Sequence, residues 1–171
     1  MSSSASSAVE SNSFVDGTGG PLEAVQQCLT FFCAGEEYGI DILRVQEIKG
    51  WSGVTSVPRT PEYVLGVMNL RGVIVPVINL RRRFGLEARD FDASTVVVVV
   101  RVQMMHGTKT VGIAVDGVSE VCTFSAEAVT SPPRTGGRTE QAFASGLATV
   151  DGRMVTILDI DTLIVSALED F

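Results

Sequence analysis

An arginine at the tip of an apolar hairpin is the residue of this chain best suited to specific recognition. Arg71 lies between Leu70 and Gly72 in the stretch GVMNLRGVIVPVINLRRRF, residues 66–84, where a run of β-branched residues follows it. A guanidinium presents a planar fork of donors that can bind a carboxylate through two hydrogen bonds. Arg71 therefore predicts a site for an acidic group, and an ordinary surface arginine is the alternative interpretation.

A second pair of candidates lies in the segment Arg44–Ile48, where polar and apolar residues alternate. Such alternation predicts a half-exposed strand, in which Val45 and Glu47 point to the same side and Gln46 to the other. An exposed valine beside an exposed glutamate would form a contact surface. One core valine with one glutamate at the rim is the alternative.

Residue types that commonly catalyse reactions are sparse in this chain. His106 is the only histidine and falls in a predicted hairpin loop, and the three cysteines, Cys28, Cys33 and Cys122, lack CxxC spacing. We expect these cysteines to be reduced and mostly buried. Neither a nucleophile–histidine set nor a phosphate-binding glycine loop is apparent. The sequence therefore predicts a protein without catalytic activity, metal site or cofactor.

The element that carries Arg71 is predicted to be a tight β-hairpin. Gly72 supplies the positive φ that such a turn needs, and Asp151-Gly152 predicts a second tight hairpin later in the chain. Pro76 has no backbone N–H, so its strand is predicted to be an edge strand or to be bulged there.

The remaining elements follow from hydrophobic patterns and from turn residues. Strands are predicted over residues 27–35, 38–43, 44–48, 95–100, 111–116, 117–122, 144–150 and 153–158. Short helices are predicted at 61–65 and 80–86, a single helical turn after Ser125, loops at 103–109 and 131–141, and a closing helix at 160–168.

Two segments of the chain recur, each at its own constant offset. Gly39–Ile48 matches Gly112–Val121, and Gly66–Phe84 matches Gly146–Ile164. We call two positions matched in this way repeat counterparts. Two long registers in the same order predict a duplicated unit of about five strands and a short helix. Because regular crossover helices are missing, we expect a mainly β fold of two related five-stranded barrels with a C-terminal helix.

Composition limits the partners and the compartment. The 171 residues carry a formal net charge of −7 and are 45% hydrophobic, which argues against nucleic acid and against anionic membrane surfaces. Without a signal-peptide pattern or a bilayer-spanning apolar run, we expect a cytoplasmic protein. Residues 1–23 are predicted to be a disordered Ser/Gly-rich tail, and residues 24–168 a single domain with intertwined subdomains at approximately 24–94 and 95–168.

Three segments, GEEYGIDILRVQEIKG, GVMNLRGVIVPVINLRRRFG and VGIAVDGVSEV, closely resemble the CheW-type chemotaxis coupling proteins. The resemblance covers about residues 25–168 and implies two SH3-like β-barrels that share an apolar core. It also implies a non-catalytic adaptor that couples methyl-accepting chemoreceptors to the chemotaxis histidine kinase in signalling arrays at the membrane.

The resemblance further implies which residues meet each partner. The cytoplasmic tip of the receptor would lie in a groove between the barrels and contact Val45, Glu47, Arg71, Val96 and Val98. The regulatory domain of the kinase would contact Ile42, Val115, Val121 and Thr130, close to the variable loop at 131–141.

Two other functions remain open from the sequence. The chain could serve a paralogous chemosensory or motility pathway as the same kind of adaptor. It could also be a β-barrel that binds a small molecule in a deep pocket between its barrels.

Overall fold

The computed structural model describes residues 25–131 and 142–168. The predicted tail at 1–23 and the predicted loop at 131–141, apart from its first residue, lie outside them. The described strands are β1 (Val25–Cys33), β2 (Glu36–Asp41), β3 (Val45–Gly50), β4 (Val64–Leu70), β5 (Val73–Asn79), β6 (Val96–Met104), β7 (Gly107–Val115), β8 (Gly117–Ser125), β9 (Val129–Thr130), β10 (Ala144–Val150) and β11 (Arg153–Leu158). The helices are α1 (Leu80–Arg83) and α2 (Ile160–Leu168), with 3-10 turns at Ile42–Arg44 and Ala126–Ala128.

The strands form two sheets, in agreement with the predicted mainly β fold of two barrels. Sheet A has six strands in the order β8-β1-β2-β11-β10-β9, and sheet B has five in the order β3-β6-β7-β5-β4. Each sheet takes strands from both halves of the chain. The predicted subdomain boundary near residue 94 therefore separates halves of the sequence and not the two sheets.

The internal repeat predicted from the sequence is visible in the pairing of the strands. In sheet B the parallel pair β5–β7 places Val77 opposite Gly112, and in sheet A the parallel pair β2–β11 places Ile157 opposite Gly39. Val77 and Ile157 are repeat counterparts, and so are Gly39 and Gly112. The hairpin of each repeat thus joins the strand of the other repeat, and the two sheets share one strand order.

The two predicted tight hairpins are confirmed. Arg71 and Gly72 have φ of 51° and 87°, and Asp151 and Gly152 have φ of 51° and 81°. Positive φ at both central residues is the conformation that matches the twist of a two-residue hairpin. In the first hairpin the side chain of Asn69 also accepts a hydrogen bond from the amide of Gly72 at 2.8 Å.

Among the described residues three apolar clusters form the interior, one inside each barrel and one between the sheets. Strand β6 serves two of them, because its side chains alternate: Val97 and Val99 point into the interior of sheet B, whereas Val98 and Val100 point into the core between the sheets. The buried face of α2 packs into the same core between the sheets. The barrels therefore share an apolar core, as expected.

Several boundaries differ from the predictions. The helix predicted at 61–65 is wrong. A single turn forms there, in which the Val64 amide donates to the Pro61 carbonyl, and the chain then enters β4 directly. Pairing of β4 with β5 satisfies more backbone groups than one helical turn could. Helix α1 ends earlier than predicted, at Arg83, because Gly85 adopts a φ of 79° close behind it. The loop predicted at 103–109 is narrower, since pairing of β6 with β7 continues to Met104 and Gly107.

The prediction for Pro76 is only partly right. Strand β5 is an inner strand of sheet B and not an edge strand. Strand β7, however, pairs only with Val77–Asn79, so Pro76 has a paired neighbour, Val67 of β4, on one side. The missing N–H of proline is tolerated where the ladder is one-sided.

A glycine at the bulge of β4 is predicted to be indispensable for packing. Gly66 has a φ of 150°, and a Cβ there would overlap the carbonyl of Thr55 on the adjacent backbone. We expect Gly66→Ala to lower the free energy of unfolding by about 2 kcal/mol or more, because the backbone must move to admit the methyl group. Urea denaturation measures this. Gly50→Ala is the control, since nothing lies within 4 Å of a Cβ there, and equal losses in both variants would contradict the prediction.

Candidate functional site

Arg71 and Glu47 form an ion pair that joins the two edges of sheet B. Glu47 lies on β3 and Arg71 in the turn between β4 and β5, and β3 and β4 are the outermost strands of this sheet. The Arg71 Nη1 donates to Glu47 Oε1 at 3.3 Å, and Nη2 binds Oε2. The guanidinium thus recognises a carboxylate through two donors, as its type predicts, and the carboxylate belongs to the same chain.

The electrostatics of this pair keep both groups charged. The hydrogen bond from Arg71 lowers the pKa of Glu47 below its usual value, and the same bond raises the pKa of Arg71. The Arg71 side chain is 68% exposed and that of Glu47 is 23% exposed. Much of the guanidinium therefore remains open to a partner while the glutamate holds it in place.

Strand β3 is irregular between the two residues predicted to act together. Val45 lies opposite Val100 and Glu47 lies opposite Val99, with a register shift between them. Residues directly opposite each other share a face of the sheet. Val45 accordingly packs against the core between the sheets, and Glu47 lies on the side of the interior of sheet B. The prediction that both point the same way is wrong, because a bulge breaks the alternation.

Exposed aliphatic side chains adjoin the ion pair in the sequence. Ile48 follows Glu47, and Val73 and Ile74 follow the Arg71 turn; all three are exposed. We call these five residues the Arg71 surface. Sequence reasoning missed the exposure of Val73 and Ile74, because a β-branched run predicts a buried strand, and it did not single out Ile48. The signal for Val73 and Ile74 was the turn itself: these residues directly follow the hairpin tip and pair only with β4, since β7 pairs only with Val77–Asn79.

The structure separates the other predicted receptor-contact residues. Val96 is half-buried, whereas Val98 is fully buried, with 0% exposure, in the core between the sheets. The prediction that Val98 lines the receptor groove is therefore corrected, because its side chain is not exposed and cannot contact a partner directly. Val98 lies opposite Ile48 of β3.

The predicted kinase-contact residues are likewise divided by burial. Val121 and Thr130 are exposed on strands β8 and β9 of sheet A, and Ile42 is half-buried in a 3-10 turn. Val115 is only 2% exposed and belongs to the core between the sheets. The prediction that Val115 contacts the kinase directly is therefore corrected for the same reason as for Val98.

Sheet A repeats the closing ion pair with a different arginine. Glu120, the repeat counterpart of Glu47, binds Arg153 on β11, whereas the counterpart of Arg71 is Asp151 in the turn before that strand. Arg153 also donates to Glu37 through Nε at 2.7 Å, and its side chain is 36% exposed. A glutamate–arginine pair thus joins β8 to β11 in one barrel and β3 to the β4–β5 turn in the other. The one in sheet B presents the more exposed guanidinium.

The described residues offer little else of chemical interest. Within 25–131 and 142–168, no group of three or more His, Cys, Asp or Glu residues could hold a metal ion, and no helix is long and apolar enough to cross a membrane. The three cysteines are buried, as predicted, and none forms a disulfide within the described residues. Burial raises the pKa of Cys28 to about 11, which makes its thiol a poor nucleophile at neutral pH.

Comparison with known proteins gives consistent similarities. Residues 27–168 match the family model described as CheW-like domain. The chain is 43% identical over 141 residues to the chemotaxis protein CheW of Klebsiella aerogenes, covering 82% of each protein. It is 36% identical over 142 residues to the chemotaxis protein CheW of Helicobacter pylori, covering 83% of each. The crystal structure of the scaffolding protein TtCheW from Thermoanaerobacter tengcongensis matches with a TM-score of 0.73 and 32% identity, covering 82% of this chain and 92% of that one.

The Arg71–Glu47 pair predicts a measurable titration change. In Arg71→Met we expect the pKa of Glu47 to rise towards the usual value of 4.5, because the hydrogen bond that favours the carboxylate is lost. In the native chain the folded-state pKa is the lower one, so the pair contributes stability above the unfolded value, which is lost as the pH falls through the folded value. Carboxyl NMR titration measures the pKa. Arg153→Met is the control, and a Glu47 pKa unchanged in Arg71→Met would contradict the prediction.

Proposed function

The chain belongs to the family of CheW-like domains, and on this basis we propose that it is a non-catalytic chemotaxis adaptor. It couples the cytoplasmic tip of methyl-accepting chemoreceptors to the regulatory domain of the chemotaxis histidine kinase. It does so in the cytoplasm, recruited to receptor arrays at the membrane. The observation that carries the proposal is the exposed Arg71 guanidinium, held by Glu47, with exposed aliphatic residues next to both in the sequence.

The composition of the Arg71 surface suits a helical partner. Ile48, Val73 and Ile74 offer apolar area to the apolar face of a receptor helix, and the ion pair supplies charge at one defined place. In such a helix-in-groove contact the apolar side chains supply affinity and the charges fix register and orientation. Val45 and Val96 are half-buried and pack against the core between the sheets.

Glu47 also prepares Arg71 for binding. A free arginine side chain loses considerable rotamer entropy when it binds, and a side chain already held by two hydrogen bonds loses less. A carboxylate or backbone carbonyl of the receptor can accept from the donors that Glu47 does not use, since a guanidinium carries five N–H groups.

The kinase contact is assigned to a different part of the molecule. Val121 and Thr130 are exposed on sheet A, whereas the Arg71 surface belongs to sheet B. An adaptor needs two separate surfaces of modest size so that both partners can bind at once. Ile42 lies in the 3-10 turn that connects β2 of sheet A to β3 of sheet B.

Of the two alternatives, an adaptor of a paralogous chemosensory or motility pathway uses the same surfaces and differs only in the partners it meets. A small-molecule-binding barrel is not favoured. In the described residues an apolar core fills the space between the sheets, where this alternative places its pocket.

Co-sedimentation tests the proposed function directly. The purified chain is combined with a receptor cytoplasmic fragment and with the histidine kinase, in each pair and then all together. We expect it to bind each partner alone, and the kinase to sediment with the receptor fragment only when the chain is present. Failure to bind either partner would contradict the proposal.

Removal of the Arg71 guanidinium is expected to weaken the receptor contact selectively. Arg71→Ala should reduce affinity for the receptor fragment by roughly 1–3 kcal/mol, the value of a charge-assisted contact, while kinase binding stays unchanged. Arginine and alanine both carry a Cβ, so the replacement leaves the backbone strain of the positive φ at position 71 unchanged. Calorimetric titration of each partner measures the effect.

Arg82→Ala is the matched control, because it removes an equal charge from α1, where Arg82 only approaches Glu62 at 3.6 Å. Circular dichroism and thermal unfolding establish that both variants remain folded. Equal receptor affinity in Arg71→Ala and Arg82→Ala would refute the assignment of Arg71.

A positive charge introduced on β8 is expected to weaken kinase binding and to leave receptor binding unchanged. Val121→Lys should weaken kinase binding at least about tenfold, because a buried ammonium in an apolar contact is costly, and should leave receptor binding unchanged. Met105→Lys, at an almost fully exposed position in the β6–β7 turn, serves as the control. Loss of receptor binding in Val121→Lys would show that the two surfaces are not separate.

A further inference from the structure

Two buried cysteines lie directly opposite each other on neighbouring strands of sheet A. The register of β1 and β8 pairs Cys28 with Cys122, and both side chains belong to the apolar cluster inside this barrel. Residues paired in this way point to the same face of the sheet. The two thiols are therefore neighbours in the folded chain, although they are far apart in the sequence.

The spacing of an antiparallel pair suits a disulfide. Directly opposed residues have Cα atoms about 4.5 or 5.5 Å apart, depending on the type of pair. A disulfide needs Cα atoms about 4.4–6.8 Å apart, so both types of pair lie within its range. Cys28 and Cys122 can thus be joined by rotation of their side chains and a small adjustment of the two strands.

The internal repeat shows that the fold does not require sulfur at these positions. The register that matches β3 to β8 places Lys49 at the counterpart of Cys122. Lys49 pairs with Val97 in sheet B, just as Cys122 pairs with Cys28 in sheet A. A lysine and a valine thus occupy the same two positions in the other barrel. The opposed thiols are a particular feature of sheet A.

Polar groups at the opening of the barrel reach the Cys122 thiol. The Cys122 Sγ donates to Glu120 Oε2 at 3.4 Å and accepts from Arg153 Nη2 at 3.5 Å. The side chains of Glu120 and Arg153 are 48% and 36% exposed. The groups that cover this sulfur are thus themselves in contact with solvent, so a small oxidant can reach Cys122 when the ion pair opens.

The surroundings of the two thiols set the order in which they react. Burial and the neighbouring carboxylate raise the pKa of Cys122, whereas Thr30 and Arg153 lower it. For Cys28, burial, Asp41 and Cys122 all raise the pKa, which reaches about 11. The thiolate is the form that attacks an oxidant, and an adjacent guanidinium favours it. Cys122 is therefore the thiol that reacts first, and its burial makes that reaction slow.

From this geometry we propose that Cys28 and Cys122 are the site of a reversible disulfide formed by hydrogen peroxide. In the first step the Cys122 thiolate attacks a peroxide oxygen and the O–O bond breaks. Cys122 becomes a sulfenic acid, and the departing hydroxide takes up a proton to give water. In the second step Cys28 attacks the Cys122 sulfur, the S–O bond breaks, and a second water leaves with the Cys28 proton. One peroxide thus accepts two electrons, and a dithiol reductant reverses the reaction.

The disulfide fixes an outermost strand of sheet A. Among the described strands β8 pairs with β1 alone, so one ladder of hydrogen bonds holds it in the sheet. A covalent link between Cys28 and Cys122 keeps β8 on β1 during the local openings of an edge strand.

This site does not rest on the proposed adaptor function. Its test uses the chain alone and measures sulfur chemistry and strand opening. Failure of the test below would leave the adaptor function untouched, and failure of the co-sedimentation would leave this site untouched.

Thiol counting in the folded full chain tests the disulfide. The chain is treated with excess hydrogen peroxide, the peroxide is removed with catalase, and the remaining thiols are alkylated with a maleimide in urea and counted by mass. We expect three alkylated thiols before treatment, one after it, and three again after dithiothreitol. Proteolytic peptides should show Cys28 linked to Cys122 and Cys33 alkylated. Oxidation of the exposed Met105 adds oxygen but does not change the thiol count.

Single replacements test the order of the two steps. In Cys28→Ala we expect Cys122 to accumulate as a sulfenic acid, which dimedone traps, because no second thiol condenses with it. In Cys122→Ser we expect Cys28 to stay reduced, while the serine hydroxyl can still donate to Glu120. Cys33→Ala is the matched control. Cys33 lies in the core between the sheets with Glu36 opposite it, so its replacement should leave the link unchanged.

Hydrogen exchange tests the anchoring of β8. We expect the β8 amides to exchange at least about tenfold more slowly in the oxidised chain than in the reduced chain, because the link suppresses local opening. The amides of β3, an outermost strand of sheet B, are the internal control and should exchange equally in both forms.

Several results would overturn the proposal: three thiols remaining after peroxide, a link that includes Cys33 or joins two chains, a sulfenic acid trapped on Cys28 in Cys122→Ser, or equal β8 exchange in both forms. Oxidation of Cys122 to sulfinic acid in the native chain without a link to Cys28 would overturn it as well. In that case the two sulfurs do not meet in the folded protein.

Discussion

The exchange of hairpins between the two repeats is the constraint on which the rest of the structure depends. Each exchange places a glycine where the side chains of neighbouring strands converge. A Cβ on Gly112 would lie 2.8 Å from a methyl of Val97, and one on Gly39 would lie 3.2 Å from a methyl of Val155. Because each sheet is completed by a hairpin from the other repeat, neither barrel has a complete set of strands from its own repeat. The core between the sheets is the consequence, and both sheets share it.

Closure of each barrel is a second consequence, and it explains why Arg71 is exposed. Both barrels use the same glutamate position to hold an arginine across the opening, but the arginine comes from different places in the hairpin. Arg153 is on a strand, where Glu37 also holds it. Arg71 is in the turn, so the same kind of contact leaves much more of its guanidinium in solvent. The same kind of ion pair is thus more enclosed in one barrel and more exposed in the other.

The sequence predicted the repeated β architecture and both tight turns because those signals are local. The Asn69–Gly72 and Asp151-Gly152 turns need particular φ values, which few residue types supply. The bulge between Val45 and Glu47 could not be predicted, since it depends on the register with β6, and it reversed the expected orientation of Val45. The burial of Val98 and Val115 was missed for a related reason. In a strand covered on both faces the sequence shows no alternation of polar and apolar residues, so it does not indicate which side chains are exposed to solvent. The pairing of Arg71 with Glu47 required closure of the sheet, which is a property of the tertiary fold.

The helices of the two repeats carry ion pairs of opposite sign at nearly corresponding places. Arg81 in α1 binds Asp116 at 2.8 Å, and Asp161 in α2, the residue that the second repeat register matches to Arg81, binds Arg44. Arg44 in turn directly follows Leu43, the counterpart of Asp116, so the two ion pairs occupy nearly corresponding places with their signs reversed. If the signs were the same, either helix could bind either site, whereas the reversal places like charges together in the exchanged arrangement.

Asp116 also accepts a hydrogen bond from the Ala34 amide of the β1–β2 turn at 2.8 Å, so it ties sheet A to the helix that follows β5 of sheet B. Because the core and this carboxylate fix the sheets together, surfaces on opposite barrels keep a defined spacing and orientation. A defined orientation is the physical requirement for holding two partners in a regular array, since a flexible joint between the barrels would let each partner adopt many positions relative to the other.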